Sequence, residues 1–529
     1  MAELERQLRK IMRINAIERI RGFCMKSRIK DDDDPGRLKN LRRLFCLMVL
    51  IPVIAAGCAM VGPDYKKVAH QSPENWEARM EKGLAATRPE SDTLSQWWDV
   101  FGDPVLSELE QKAVEGNLEI RTALSRLRQA RIRRGISRSD LYPGMDGSGQ
   151  VQRQRGSEAM PTSYAGEETD YYKAGFDASW ELDLFGGIRR SVQAAQAEVE
   201  ASRADLQDVL TSLMAEVAVT YIEVRTYQQR LDVTRANIEI QKKTYELNNS
   251  RYQSGLVDEL AVQQALRNLE SSRAVISRLE SGLTAAKNRL AVLLGQAPGA
   301  VDEKLSPERS VPTVPEHVAV GIPADAMRRR PDIRKAERQV AAQTARIGAA
   351  TAELYPKFRL LGTIGLEALD SGSDFLDAGS RFWNVGPGVS WNIFHGRALR
   401  LNIDLQTEKQ KQALIAYKSA VLNAREEIED TLTAYAREQM RQASLEKAVD
   451  AARRTEFLAR DRYKAGLADF YNVLDAQRSL LELEDERIRS KGQAASDLAR
   501  LYKALGGGWQ YYNSFAEQAQ SVPDPEKSE

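Results

Sequence analysis

Between residues 188 and 253 the chain has neither proline nor glycine, and apolar, Thr or Tyr side chains fall at Leu210, Leu213, Val217, Thr220, Val224, Tyr227, Leu231, Thr234 and Ile238. Steps of three and four in alternation form a heptad seam, and they predict one helix on the order of 100 Å long at about 1.5 Å per residue. Residues 397 to 465 repeat the pattern, again without proline or glycine, with Leu414, Tyr417, Val421, Ala424, Ile428, Thr431 and Tyr435 on the seam. Helices this long exceed what a globular core accommodates. Each turns at a Gly-Leu pair and returns through a shorter helix, 257 to 294 or 469 to 505. The return helices end at Gly295 and at Gly506-Gly507-Gly508, where glycine suits a helix C-terminus.

A different period precedes each long helix. From Lys173 to Leu184 the even positions are apolar (Ala174, Phe176, Ala178, Trp180, Leu182, Leu184), while the odd ones are polar or glycine. This is the two-residue alternation of a strand with one apolar face. Phe358 to Ala368 alternates in the same way, Trp383, Val385, Val389, Trp391 and Ile393 do so on odd positions, and a weaker fourth strand falls within Gly144 to Arg155. Segments of about ten residues with apolar-out, polar-in alternation mark an outer-membrane barrel. Four strands cannot close one, because small closed barrels need about eight. Several chains must therefore share it.

Helices and strands belong to one unit written twice. Arg251-Tyr252-x-x-Gly255-Leu256-x-Asp258 recurs as Arg462-Tyr463-x-x-Gly466-Leu467-x-Asp469, Trp180 returns as Trp391, and Leu141-Tyr142-Pro143 as Leu354-Tyr355-Pro356. The expected organisation is a leader at 1–57, an N-terminal segment at 58–103, a first repeat at 104–300, a second at 301–510, and a polar tail at 511–529.

The one strongly apolar run, Leu44 to Gly57, is too short for a helical bilayer span of about 20 residues. Arg37, Lys39, Arg42 and Arg43 precede it and Ala55-Ala56-Gly57-Cys58 ends it, which is the layout of a secretory signal. The ending resembles a bacterial lipobox, with Ala55 where leucine is usual; this implies cleavage before Cys58 and diacylglycerol on its thiol. A plain signal or a short anchor is the alternative. The leader is long, and Met25 offers a more ordinary start. Cleavage discards Cys24 and Cys46, leaving no partner for a disulfide within one chain.

Composition adds mainly exclusions. A formal charge of +1 creates no field favouring nucleic acid. His70, His317 and His395 sit in unrelated segments, and no Walker loop, GxSxG or HExxH occurs, so neither an enzyme nor a metal or cofactor site is expected.

Four further segments carry a family resemblance: Gly62-Pro63-Asp64-Tyr65-Lys66-Lys67, Trp97-Trp98-x-x-Phe101-Gly102-Asp103-Pro104-x-Leu106, Arg330-Pro331-Asp332-Ile333, and Leu501-Tyr502-Lys503-Ala504-Leu505-Gly506-Gly507-Gly508-Trp509. In their order and spacing, residues 58 to 510 resemble the TolC-like outer-membrane efflux lipoproteins. The resemblance implies a mixed α and β membrane protein: a homotrimer whose twelve-stranded β-barrel continues as a long α-helical periplasmic tunnel with an equatorial region around its middle. Its implied partners are a periplasmic adaptor protein, an inner-membrane pump and outer-membrane lipid, and its implied role is a passive gated conduit for small molecules. A type I secretion or metal-efflux channel is the alternative supply, and a lipid-anchored coiled-coil scaffold without a pore the alternative class.

The same resemblance places sites. Gly255, Leu256, Gly466 and Leu467, in the two helix turns, become the periplasmic tip that meets the adaptor; the simpler reading is that they only close and pack the turns. Asp475 matches an acidic constriction residue facing the lumen, against the plain alternative of a solvated surface carboxylate. Asn472 stands where some members have another Asp, Tyr471 supplies bulk, and positions 468, 472 and 475 are expected on one helical face. Tyr463 matches a tyrosine that latches the tip, but Ala261 and Ala468 replace its polar partners, so the latch does not carry over intact.

Overall fold

Two hairpins of very long helices, each preceded by a β-hairpin, make up most of the molecule. The computed structural model describes residues 60–68, 75–81, 83–87, 94–159, 166–369 and 374–510; the leader, Cys58, His70 and the tail from 511 lie outside them. In chain order the elements are β1 (Leu84–Ala85), α1 (Pro104–Gly116), α2 (Leu118–Ser139), β2 (Gly144–Arg155), β3 (Glu168–Glu181), α3 (Gly187–Gln253), α4 (Glu259–Leu293), α5 (Asp302–Leu305), β4 (Val318–Ala319), α6 (Pro323–Arg329), α7 (Pro331–Ala352), β5 (Lys357–Leu369), β6 (Arg381–Ser390), α8 (Ala398–Lys464) and α9 (Phe470–Ala504). The long helices α3 and α8 have 67 residues each, and their return helices α4 and α9 have 35 each. At about 1.5 Å per residue, 67 residues extend about 100 Å.

The seam residues of α3 pack as their period requires. Leu210, Leu213, Val217, Thr220, Val224, Leu231 and Thr234 are buried. Two sequence expectations are corrected at element ends. Leu182 to Leu184 follow β3, and Trp391 with Ile393 follow β6, so the alternation outruns the hydrogen-bonded ladder. Ala468 precedes α9, whose first residue is Phe470, and so shares no helical face with Asn472 and Asp475.

The four long strands form one antiparallel sheet in the order β2-β3-β5-β6. Register aligns Gly147, Phe176, Ile364 and Trp383 in one row across the sheet, and Asp146, Asp177, Thr363 and Asn384 in the adjacent row. Side chains alternate along a strand, so the first row lies on an apolar face and the second on a polar one. On the polar face Asp177 accepts from Ser148 Oγ (3.2 Å) and Thr363 Oγ1 (2.8 Å). On the apolar face Phe176, Ile364 and Trp383 are exposed. No helix among the described residues is long and apolar enough to cross a membrane.

The main core lies at the waist of the helices, where distant motifs meet. Trp97 stacks on Tyr502 at 5.6 Å and meets Trp98 and Phe101 edge-on. The Gly507-Gly508 pair is required here: a Cβ on Gly507 would sit 2.9 Å from the Leu94 carbonyl, and one on Gly508 2.6 Å from Met214 Sδ. Asp103 caps α1 by accepting from Val105 N (3.0 Å), and it also accepts from the Tyr221 hydroxyl. Arg330 donates to Asp332 (2.8 Å), Glu427 (2.7 Å) and the Ala504 carbonyl (2.8 Å), joining α7, α8 and α9.

Candidate gate and docking tip

Both helix hairpins turn with the same backbone solution. Gly255 (φ 72°) and Gly466 (φ 74°) take the left-handed conformation that glycine adopts without strain. Gly255 N and Leu256 N donate to the carbonyls of Tyr252 (2.8 Å) and Arg251 (2.9 Å); Gly466 N and Leu467 N donate to those of Tyr463 (3.0 Å) and Arg462 (2.9 Å). This Schellman arrangement satisfies the last carbonyls of α3 and α8. Nothing lies within 4 Å of a Cβ placed on either glycine, so backbone conformation alone demands it. The following leucines are left in the open, Leu256 73% exposed and Leu467 78%. Neither leucine is covered within its own chain.

The two turns start their return helices differently. The Asp258 carboxylate accepts from Ala261 N (3.1 Å) and caps α4, whereas Asp469 makes no side-chain cap at α9. Behind the turns a small core of Ala261, Ala265, Phe470, Val473 and Leu474 joins the hairpins. Ala261, which stands where the resemblance implies a polar partner of Tyr463, is an apolar residue of this core.

Tyr463 sits against that core and is tied to the other hairpin. Its hydroxyl donates to Asn248 Oδ1 at 2.7 Å, its ring lies 5.3 Å from Phe470, and the Arg251 guanidinium lies 4.9 Å from the ring centroid. Asn248 is fully buried and donates in turn to the Thr244 carbonyl (2.9 Å), while Gln477 donates to Thr244 Oγ1 (3.2 Å). Sequence reasoning missed Asn248, Thr244 and Gln477. The signal was present, since Asn248 falls where the three-and-four steps of the α3 seam continue past Ile238 through Gln241 and Tyr245. A polar residue on an apolar seam, once buried, needs a partner.

Tyr471, Asn472 and Asp475 all lie on the exposed side of α9, opposite Val473 and Leu474 in the core. Arg478, one turn beyond Asp475, is held above its usual range by its bond to Glu482 and, more weakly, by Asp475 and Tyr471. The surface presented beside the tip is therefore a mixed strip of Asp475, Arg478 and Glu482. The structure brings Tyr463 to the hairpin junction and leaves the other three expected gate residues outside it.

Comparison with known proteins bears on most of the chain. The family model described as outer membrane efflux protein matches residues 109–296 and 322–507. Nodulation protein T of Rhizobium leguminosarum bv. trifolii is 31% identical over 464 residues, covering 86% of this chain and 96% of the relative. Outer membrane protein OprJ of Pseudomonas aeruginosa is 30% identical over 468 residues, 88% and 96% respectively. Among solved structures, the outer-membrane channel OprN superposes with a TM-score of 0.80 at 35% identity, over 85% of this chain and 99% of its own. The open-state MtrE channel of Neisseria gonorrhoeae gives 0.72 at 26%, over 85% and 99%.

Proposed function

Since this chain belongs to the outer membrane efflux protein family, we propose that three copies close a shared twelve-stranded barrel and continue it as a gated helical tunnel. The chain is an outer-membrane efflux channel with the TolC-like fold. Residues 104–300 and 301–510 each supply two strands, one long helix and one return helix, following the N-terminal segment 58–103.

One observation supports a barrel shared between copies. The sheet ends in β2 and β6, each with one side unpaired, and lipid offers nothing to satisfy those backbone groups. Pairing β6 of one copy with β2 of the next removes every edge. The helical layer supports the same closure. Leu118, Ile132 and Ile136 are exposed along α2, and Leu401, Leu405, Ile415 and Leu422 along α8, two strips at heptad spacing. Mass measurement in detergent should return trimers that conduct in planar bilayers; monomers with full conductance would refute the reading.

Two further roles follow. The exposed Leu256 and Leu467, with Gly255 and Gly466 holding their turns, are offered to the periplasmic adaptor, so cysteines at 256 and 467 should crosslink to it in cells. Cys58 carries the lipid, and labelled palmitate should enter the natural chain but not Cys58→Ser. Energy for transport comes from the inner-membrane pump, and this chain contributes the path and its gate.

A further inference from the structure

We propose that the outward surface of the upper tunnel is a docking face for an acidic cell-wall polymer, peptidoglycan, whose carboxylates are gripped by arginines of α2, α3 and α7. The proposal rests on the trimeric-channel reading, which decides what is outside.

The outward face is identified by the N-terminal segment. Val61 N donates to the Phe185 carbonyl (3.1 Å), Asp64 pairs with Arg190 (2.8 Å), and the Tyr65 hydroxyl donates to Glu337 (2.8 Å). The segment thus lies along the groove between α3 and α7, so close that a Cβ on Gly62 would fall 2.4 Å from the Gly348 Cα. Cys58 lies three residues before Val61, and a lipid-bearing terminus must leave from the outer wall.

That wall is crowded with guanidinium groups. Burial and the neighbouring Arg203, Arg134 and Arg128 hold Arg131 below its usual range, and burial with Arg203 and Arg338 does the same to Arg334. The carboxylates among them are already engaged. Glu200 and Glu337 both bind Arg338, at 3.2 and 2.9 Å, and Asp205 binds Lys335 at 2.6 Å. Among the described residues Arg131 and Arg203 form no ion pair. Like charges so close repel one another, and an external polyanion relieves the repulsion.

Shape and height favour a polymer over the membrane. Arg338 and Glu200 separate two clefts of about 480 and 450 Å³, one reaching Arg134 and Arg138 and the other Lys67, Arg203 and Arg334. Separate clefts suit carboxylates on projecting peptides rather than a flat layer of headgroups. Arg128 lies ten residues down α2 from Arg138, about 15 Å lower. The headgroup band extends only about 5–8 Å beyond the hydrocarbon.

The test is co-sedimentation of the purified full-length trimer, in neutral detergent, with isolated peptidoglycan sacculi. The protein should pellet with sacculi at about 50 mM salt and be released near 0.5 M, where screening is a few Å. Polyglutamate should compete. A variant carrying Arg131→Gln, Arg203→Gln and Arg334→Gln should lose most retention while keeping its trimer mass, and Arg128→Gln with Arg131→Gln is the milder variant if Arg334 proves structural. Retention unaffected by both variants, no retention of the natural protein, or binding only to vesicles of phosphatidylglycerol and phosphatidylcholine would each overturn the proposal. Monomers in the mass measurement would instead overturn the channel reading.

Discussion

The indole N–H of Trp180 donates to the carbonyl of Leu141 at 2.9 Å, and in the second half of the chain Trp391 donates to Leu354 at 3.0 Å. Each tryptophan ends its strand region, and each leucine opens the Leu-Tyr-Pro segment that turns a helix into a strand. The pair staples the base of each β-hairpin to the end of the helix before it.

Replacing either tryptophan by phenylalanine removes the donor while retaining most of the ring. A hydrogen bond of this kind contributes about 1 kcal/mol net. Trp180→Phe and Trp391→Phe should each lower the temperature at which the assembly dissociates on semi-native gels, and the double variant should lower it by about the sum, since the sites are distant. No shift in either single variant would show that the leucine carbonyls find water equally well.

The tip provides a second expectation. Tyr463→Phe and Asn248→Ala each break the bond between the hairpins, and at about 1 kcal/mol the open-to-closed ratio should rise about fivefold. Resting single-channel conductance is the readout. Because both changes remove one interaction, the double variant should conduct like either single one. Additive effects would separate the two residues.

Charge at the tip provides a third. Three copies of the exposed strip would place Asp475, Arg478 and Glu482 around one axis, with Arg478 offsetting part of the acidic field. Asp475→Ala should therefore reduce cation preference and Arg478→Gln should increase it. Reversal potentials at low salt, where screening is weakest, decide the matter. Selectivity untouched by both changes would leave Asp475 a solvated helix residue.

Stability offers a fourth. Glu110 is completely buried in α1 with no hydrogen-bond partner for either carboxylate oxygen, and burial pushes its pKa well above the usual range. A carboxyl whose folded pKa is raised contributes most below its unfolded value near 4.3, and that contribution is lost as pH rises toward the folded value. Glu110→Leu should accordingly gain about 1–3 kcal/mol over the natural chain at pH 8. The gain should shrink at pH 4. Thermal melts followed by helical circular dichroism at the two pH values would show it.

The sequence by itself determined the two long helices, their return helices and the four strands of the main sheet, because local periodicity reports which face of each segment is apolar. The stretches without proline or glycine mark α3 and α8 to within a residue or two, the Gly-Leu pairs mark both turns, and even the weak strand at Gly144 to Arg155 has those bounds. Tertiary structure decided which repeated residues do different work. Tyr252 and Tyr463 occupy the same place in the repeated motif, yet Tyr252 is exposed while Tyr463 bonds to Asn248, 215 residues away. Position 459, the counterpart of Asn248, is Ala, so only one tyrosine has a buried acceptor facing it. Hydrogen bonds between elements depend on distance and direction across the fold, and periodicity along one helix contains neither.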